Sequence, residues 1–197
     1  MAKVLIAHFS QTGNTERVAC AIRDAVAGAG HDCRLAEVRE LRIGEILEYD
    51  LVFLGSACHS AGLAGPVSEI LAGIPPGSRL MLAGFATHSS PLPEGGERNR
   101  QLHEAWAGGC RRSFQAASDD GRVELLGYFG CQGAPSPPIE EFIHSTIMPD
   151  DAEWQAYVEA ARRHPDAADL EAAGAFGRDV AAAYMRRVSS SRRPQAV

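Results

Sequence analysis

Five short apolar runs, separated by stretches with helical spacing, constrain this chain more than anything else in it. The runs are KVLIAHF at 3–9, CRLAEV at 33–38, DLVFLGS at 50–56, RLMLAGFA at 79–86 and VELLGYFG at 123–130. Three of them are nearly continuous in apolar residues, the pattern of strands covered on both faces. Between them, Val18, Ile22 and Val26 share one helical face, as do Val67, Ile70, Leu71 and Ile74, with Pro66 where a first helical turn accepts it. A third helix is expected over 97–116, with Leu102, Trp106, Gly109 and Ser113 along one side, and a last one from about Asp166 to Val188. Strands that alternate with helices need crossover connections, which are right-handed and give a parallel sheet with helices on both faces. The fold class is therefore open α/β.

At 197 residues, with no low-complexity linker in its middle, the chain is expected to form one domain over 1–188. The stretch 131–165 exceeds what a connection to the last helix needs, so it reads as an insertion with short helices near 139–146 and 151–163. Residues 189–197, SSSRRPQAV, read as a frayed tail. Nineteen Lys and Arg against 25 Asp and Glu give a net charge of −6, which argues against nucleic acid as a partner. No stretch approaches the roughly 18 apolar residues of a membrane span. The first apolar run ends in polar residues rather than a cleavage site, so a cytoplasmic protein without membrane contact is expected. The cysteines, at 20, 33, 58, 110 and 131, are odd in number and hold no C-x-x-C pair. Neither a disulfide framework nor a metal site is suggested.

The stretch SQTGNT, residues 10 to 15, leaves the first strand and enters the first helix carrying hydroxyls and amides but no charge. In open α/β sheets ligands bind beyond the carboxyl ends of the strands, where the strand order reverses. A helix beginning near Asn14 or Thr15 offers unpaired N–H groups and a partial positive charge to an anion. Ser10, Thr12, Asn14 and Thr15 add side-chain donors, and Gly13 permits a tight turn. The chain has no Walker-type lysine after this loop and only one glycine in it, so triphosphate and dinucleotide loops are unsupported and a monophosphate fits better. The plainer reading of the same residues is a helix cap.

At these residues the sequence resembles the flavodoxin-like family, whose phosphate loop reads Ser/Thr-x-Thr-Gly-Asn-Thr after the first strand. The resemblance implies a three-layer sandwich with a five-stranded parallel sheet of order 2-1-3-4-5, the order of flavodoxin itself, in which FMN lies at the switch point. It implies FMN as cofactor, its phosphate held by Ser10, Gln11, Thr12, Gly13, Asn14 and Thr15, and its ring flanked by the loops at 55–66 and 84–96. Where flavodoxins often carry Gly-Ser-Pro-Thr-Trp, this chain has Gly55, Ser56, Ala57, Cys58 and His59, so the usual aromatic is replaced by an imidazole. Ser56, Ala57, Cys58 and His59 are ring candidates, as are Thr87 and His88, which match a Thr-His pair in part of the family. YFGCQGAPSPP at 128–138 and HPDAADLEAAGAF at 164–176 resemble the same part.

Cys58 and Cys131 both fall at carboxyl ends of strands. In this order their strands stand roughly 9–10 Å apart, too far for a disulfide, and both read as small semi-buried side chains. Trp106 and Trp154 read as packing residues. The resemblance implies an electron carrier that needs no catalytic side chain and serves a redox partner protein or a small-molecule acceptor, with the acidic surface steering encounters. A second reading is an FMN-dependent NAD(P)H:quinone-type oxidoreductase with His59 and His88 as proton donors. A third is a flavin-free phosphate-binding or interaction module.

Overall fold

The apolar runs set the sheet. In the structure, a computed structural model describing residues 1–191, the strands are β1 (Lys3–Phe9), β2 (Asp32–Glu37), β3 (Leu51–His59), β4 (Gly62–Leu63), β5 (Leu80–His88) and β6 (Val123–Gln132). The parallel strands run in the order β2-β1-β3-β5-β6, and the two-residue β4 folds back antiparallel on the end of β3. Without β4 this is the order 2-1-3-4-5. The central β1, β3 and β5 are buried almost throughout, whereas β2 at one edge alternates in exposure.

The helices are α1 (Asn14–Gly28), α2 (Ile43–Ile46), α3 (Gly65–Gly73), α4 (Glu97–Trp106), α5 (Gly108–Asp119), α6 (Pro137–Phe142), α7 (Asp151–Ala161) and α8 (Ala167–Ser191). Alternation along β1 sends Val4 and Ile6 to one face, with Val18, Ile22 and Val26 of α1 and Ala173 and Val180 of α8. It sends Leu5, Ala7 and Phe9 to the other, with Val67 and Leu71 of α3 and Phe114 of α5. Each fully buried Leu, Ile or Phe stabilises the layers by about 1.5–3 kcal/mol relative to exposure.

Three expectations are corrected. The helix expected over 97–116 breaks at Ala107, where φ is −134°. Gly108 and Gly109 are poor helix formers, and Gly109 sits so close to the chain after β3 that an added Cβ would lie 2.1 Å from the Ala61 carbonyl oxygen. Second, the parallel pairing continues through Ala57–Thr87, Thr87–Cys131 and His88–Gln132. Thr87 and His88 are therefore on a strand rather than in a loop, and Cys58 and His59 are so through their antiparallel pairing with Leu63 and Gly62. Third, residues 189–191 belong to α8, and the remainder of the expected tail, 192–197, lies outside the described residues.

Between β6 and α8 the chain forms α6, one π-helical turn at Ile143–Ile147, and α7. Ile143, Met148, Trp154 and Val158 make a small separate core there, with Leu102 and Tyr157 against it. Among the described residues no helix is long and apolar enough to cross a membrane.

Candidate functional site

The first loop is shaped by one backbone conformation. Gly13 takes φ 84°, the left-handed region that other residues enter at a cost, and directs the chain into α1 without a side-chain cap. The first intrahelical bond is from the Arg17 N–H to the Gly13 carbonyl at 3.0 Å, so the N–H groups of Asn14, Thr15 and Glu16 precede it. The Ser10 hydroxyl oxygen is buried without a hydrogen-bond partner. A buried hydroxyl left unpaired costs free energy, and the nearby helix N-terminus favours an anion.

The other polar side chains of the loop are engaged. Asn14 Nδ2 donates to Thr12 Oγ1 at 3.1 Å and to the Ala134 carbonyl at 2.9 Å, which uses both of its hydrogens. Asn14 therefore ties the loop to the chain after β6, a role its sequence position does not reveal. Thr15 Oγ1 shares a buried hydrogen bond of 2.8 Å with Thr87 Oγ1.

Gln11, Thr12, Asn14, Ala57, Cys58, His59, Thr87 and His88 line one cavity of about 340 Å³ across the carboxyl ends of β1, β3 and β5. Ser10, Gly13 and Thr15 belong to the loop beside it but are not in its lining, and Ser56 stands apart from it. Ser56 is fully buried, with its hydroxyl donating to the Ala57 carbonyl at 2.7 Å and accepting from the Ala64 N–H at 2.9 Å. The cavity is completed by residues that the sequence did not single out: Ser60, Ser89, Gly133, Ala134, Ser136, Pro138 and Ile139. The 131–165 stretch thus supplies one wall. Its position is held by the Gly133 N–H on the His88 carbonyl at 2.8 Å and the Ala134 N–H on the His164 carbonyl at 2.8 Å.

HPDAAD at 164–169 acts as a helix cap. Asp166 and Asp169 each accept the other's backbone N–H, and His164 Nδ1 lies 2.5 Å from Asp169 Oδ2. The Asp169 N–H holds the Asp166 carboxyl below the usual range.

At the end of β3, His59 pairs with Gly62 across Ser60 and Ala61, at φ 47° and 64°. This is the geometry that Asn-Gly normally serves in tight hairpins, here adopted by two residues that pay for it in strain. The turn places His59 and Ser60 in the cavity wall, and the His59 ring meets Phe9 edge-on at 5.9 Å between centroids.

Burial lowers the His88 pKa to about 3, helped by the neighbouring His103, so the ring is neutral at ordinary pH. It therefore carries no extra proton to donate, contrary to the role the oxidoreductase reading gives it. Cys58 contacts Cys110 of α5, whose thiol hydrogen bond draws the Cys58 pKa down, while the same contact and burial push Cys110 up. Cys58 also approaches the Trp106 carbonyl, with Sγ to O at 3.2 Å. Burial raises Cys131 to about 12. Trp154 is buried, as expected, but Trp106 is 37% exposed and packs edge-on against Phe142 beside the site.

These features define an open α/β protein with an anion-ready first loop at the switch point of its sheet. A family model for flavodoxin matches residues 6–64, which span β1, the loop, α1, β2 and β3. A search among curated proteins found no match to the chain. Solved structures share the fold, among them oxidised flavodoxin 2 from Bacillus cereus, with a TM-score of 0.59 and 20% identity over 92% of this chain and 99% of that one. A flavodoxin from Streptococcus pneumoniae gives a TM-score of 0.57 at 15% identity, covering 91% of this chain and 97% of that one. The rubredoxin oxygen:oxidoreductase of Desulfovibrio gigas gives 0.61 at 14%, covering 94% of this chain but 36% of that one. The chain has a flavodoxin-like fold, and its first third matches the flavodoxin family model. Members of that family generally bind FMN and transfer electrons to redox partners.

Proposed function

We propose that this chain binds FMN and serves as an electron-transfer protein. The observation that carries the reading is the buried, unpartnered Ser10 hydroxyl beside the free N–H groups of Asn14, Thr15 and Glu16. Ser10, Thr12 and these amides would hold the phosphate, and Gln11 and Gly13 would shape the loop around it. Ala57, Cys58, His59, Thr87 and His88 would border the flavin ring, with the 133–139 stretch opposite. When bound, the flavin supplies one- and two-electron chemistry, and the protein's part is to orient it and set its surroundings. His88 does so as a fixed neutral dipole rather than a charge.

In the carrier reading a redox partner protein collects the electrons, in keeping with a net charge of −6. The oxidoreductase reading is favoured by one observation, a second cavity of about 310 Å³ that shares Cys58, Ser60, Ser89 and Ile139 with the first. Titration of the purified protein with FMN, followed by flavin fluorescence, tests the proposal. Saturable quenching supports it, and the absence of FMN uptake leaves only the phosphate-binding module. Anaerobic mixing of the loaded protein with NADPH or NADH then separates the readings, because a carrier stays oxidised and a reductase bleaches.

A further inference from the structure

Two of the five cysteines meet. Cys58 lies at the end of β3, where it pairs with Leu63 of β4, and it lines both the first cavity and the second. Cys110 lies in the first turn of α5 and is 1% exposed, within the apolar cluster that Cys58 packs against. The backbone brings them together. Gly109 has no side chain, so the start of α5 presses onto the Ala61 carbonyl in the turn between β3 and β4, where a Cβ would come within 2.1 Å. From there the Cys110 thiol reaches Cys58 and donates a hydrogen bond to its sulfur. Cys58 Sγ also stands 3.2 Å from the Trp106 carbonyl oxygen at the end of α4.

The two thiols differ in what can reach them. Cys58 is half-buried and opens on the cavities, whereas Cys110 is closed off behind it. A small solute in either cavity therefore meets the first sulfur and not the second. The other strand cysteines have no such arrangement with Cys58. Cys131 stands on β6 beyond β5, Cys33 stands on β2 beyond β1, and both pack with the cluster on the opposite face of the sheet. Thiols already in contact need only a small shift to reach the roughly 2 Å of a disulfide. The hydrogen bond from Cys110 also favours the thiolate of Cys58, the form that reacts.

We propose that Cys58 and Cys110 form a dithiol–disulfide couple, in which a small hydroperoxide entering the cavity oxidises Cys58 and Cys110 closes the disulfide. The Cys58 thiolate attacks one peroxide oxygen and the O–O bond breaks. The other oxygen leaves as water, taking the proton that Cys58 gave up, and Cys58 becomes a sulfenic acid. The Cys110 sulfur then displaces the hydroxyl from the Cys58 sulfur, and its thiol proton departs with that hydroxyl as a second water. Two thiols have lost two electrons and two protons, and hydrogen peroxide has become two waters. Exchange with an external dithiol restores the starting state. The couple goes beyond the flavin reading and stands without it.

Treatment of the purified chain with one equivalent of hydrogen peroxide, followed by thiol counting and peptide mapping, tests the couple. All five cysteines start as free thiols, and two of them should be lost. The mass should fall by two hydrogens, one peptide pair should join Cys58 to Cys110, and dithiothreitol should restore every thiol. Cys110→Ala should form no link and should carry dimedone on Cys58, whereas the parent should carry none once the link has closed. Cys131→Ser should form the link as the parent does. A parent in which Cys58 stops at a dimedone-reactive acid without the link would overturn the couple. So would oxidation that falls on Cys20 or Cys33 while Cys58 stays a thiol. Because the linked peptide is read in the parent itself, the test holds even where a variant at buried Cys110 fails to fold.

Discussion

The hydroxyls of Thr15, in the first turn of α1, and Thr87, near the end of β5, meet at 2.8 Å in a buried contact. This bond joins the proposed phosphate loop to the strand that borders the proposed ring site. Thr15→Val or Thr87→Val keeps the shape and leaves the other hydroxyl buried and unpaired. Each should lower the unfolding free energy by about 1–3 kcal/mol, whereas the double variant should cost little more than either single one. Urea unfolding of the four proteins in a mutant cycle checks this, and additive losses would show that the hydroxyls do not depend on each other.

Ser10 should behave in the opposite way. Its oxygen is buried without a partner, so Ser10→Ala removes an unsatisfied group and should leave the FMN-free protein as stable as the parent or slightly more so. The same variant should bind FMN more weakly, by about 1.5–3 kcal/mol if the hydroxyl donates to the phosphate. Thr12→Val should weaken FMN binding similarly. A thermal melt of the free protein and a flavin titration give the two numbers. A destabilised Ser10→Ala that binds FMN normally would mean that the hydroxyl serves the fold.

The strands and the first loop were legible because their causes are local. Burial on both faces writes a continuous apolar run, and a turn into a helix writes Gly13 between polar neighbours. The Gly108–Gly109 pair also marked the helix break, although the periodic Leu102, Trp106 and Ser113 masked it. What escaped depends on distant partners. Asn14 looks like a ligand donor until Ala134 is found on its amide, and Cys110 looks inert until α5 brings it to Cys58. Trp106 fits a packing role in the sequence because nothing near it there shows that α4 ends beside the site. Ser90 and His103 gained meaning only when the chain brought them to His88.

The turn after β3 carries strain that can be released. Ala61 sits at φ 64°, where a Cβ is disfavoured by roughly 1–2 kcal/mol. Ala61→Gly should therefore stabilise the protein by about 0.5–1 kcal/mol after the larger chain entropy of glycine is subtracted. Ala61→Val, with its branched side chain, should destabilise it. Chemical denaturation midpoints for the pair test the sign, and a less stable glycine variant would refute strain at this position.

Among Cys33, Cys58, Cys110 and Cys131, only Cys58 has its pKa drawn down; burial pushes Cys33 and Cys131 up, and the hydrogen bond with Cys58 together with burial pushes Cys110 up. Because the thiolate is the reactive form, Cys58 should alkylate with iodoacetamide before these other three and at lower pH than they do. Its position in the wall of the first cavity predicts that bound FMN slows the reaction. Cys110→Ala removes the hydrogen bond and should slow Cys58 as well. Peptide mapping by mass spectrometry reads each site. Preferential labelling of Cys131 would contradict the assignment.

His88 gives the fold a pH dependence with a definite sign. Its pKa is about 3 in the folded protein, because of burial and the nearby His103 and His164, against 6.5 for the free side chain. Between these values the unfolded chain binds more protons than the folded one, so stability rises with pH through the window and is lost as pH falls through it. From pH 7 to pH 5 this group alone should remove about 2 kcal/mol. Glu45, Glu140 and Asp166, held below their usual values, act in the same direction at lower pH. His88→Gln keeps a polar group beside Ser90 and carries no titrating proton. Whatever its stability at pH 7, it should lose about 2 kcal/mol less than the parent between pH 7 and pH 5. Urea unfolding of both proteins at the two pH values measures that difference, and parallel losses would place the His88 proton equilibrium outside the buried environment described for it.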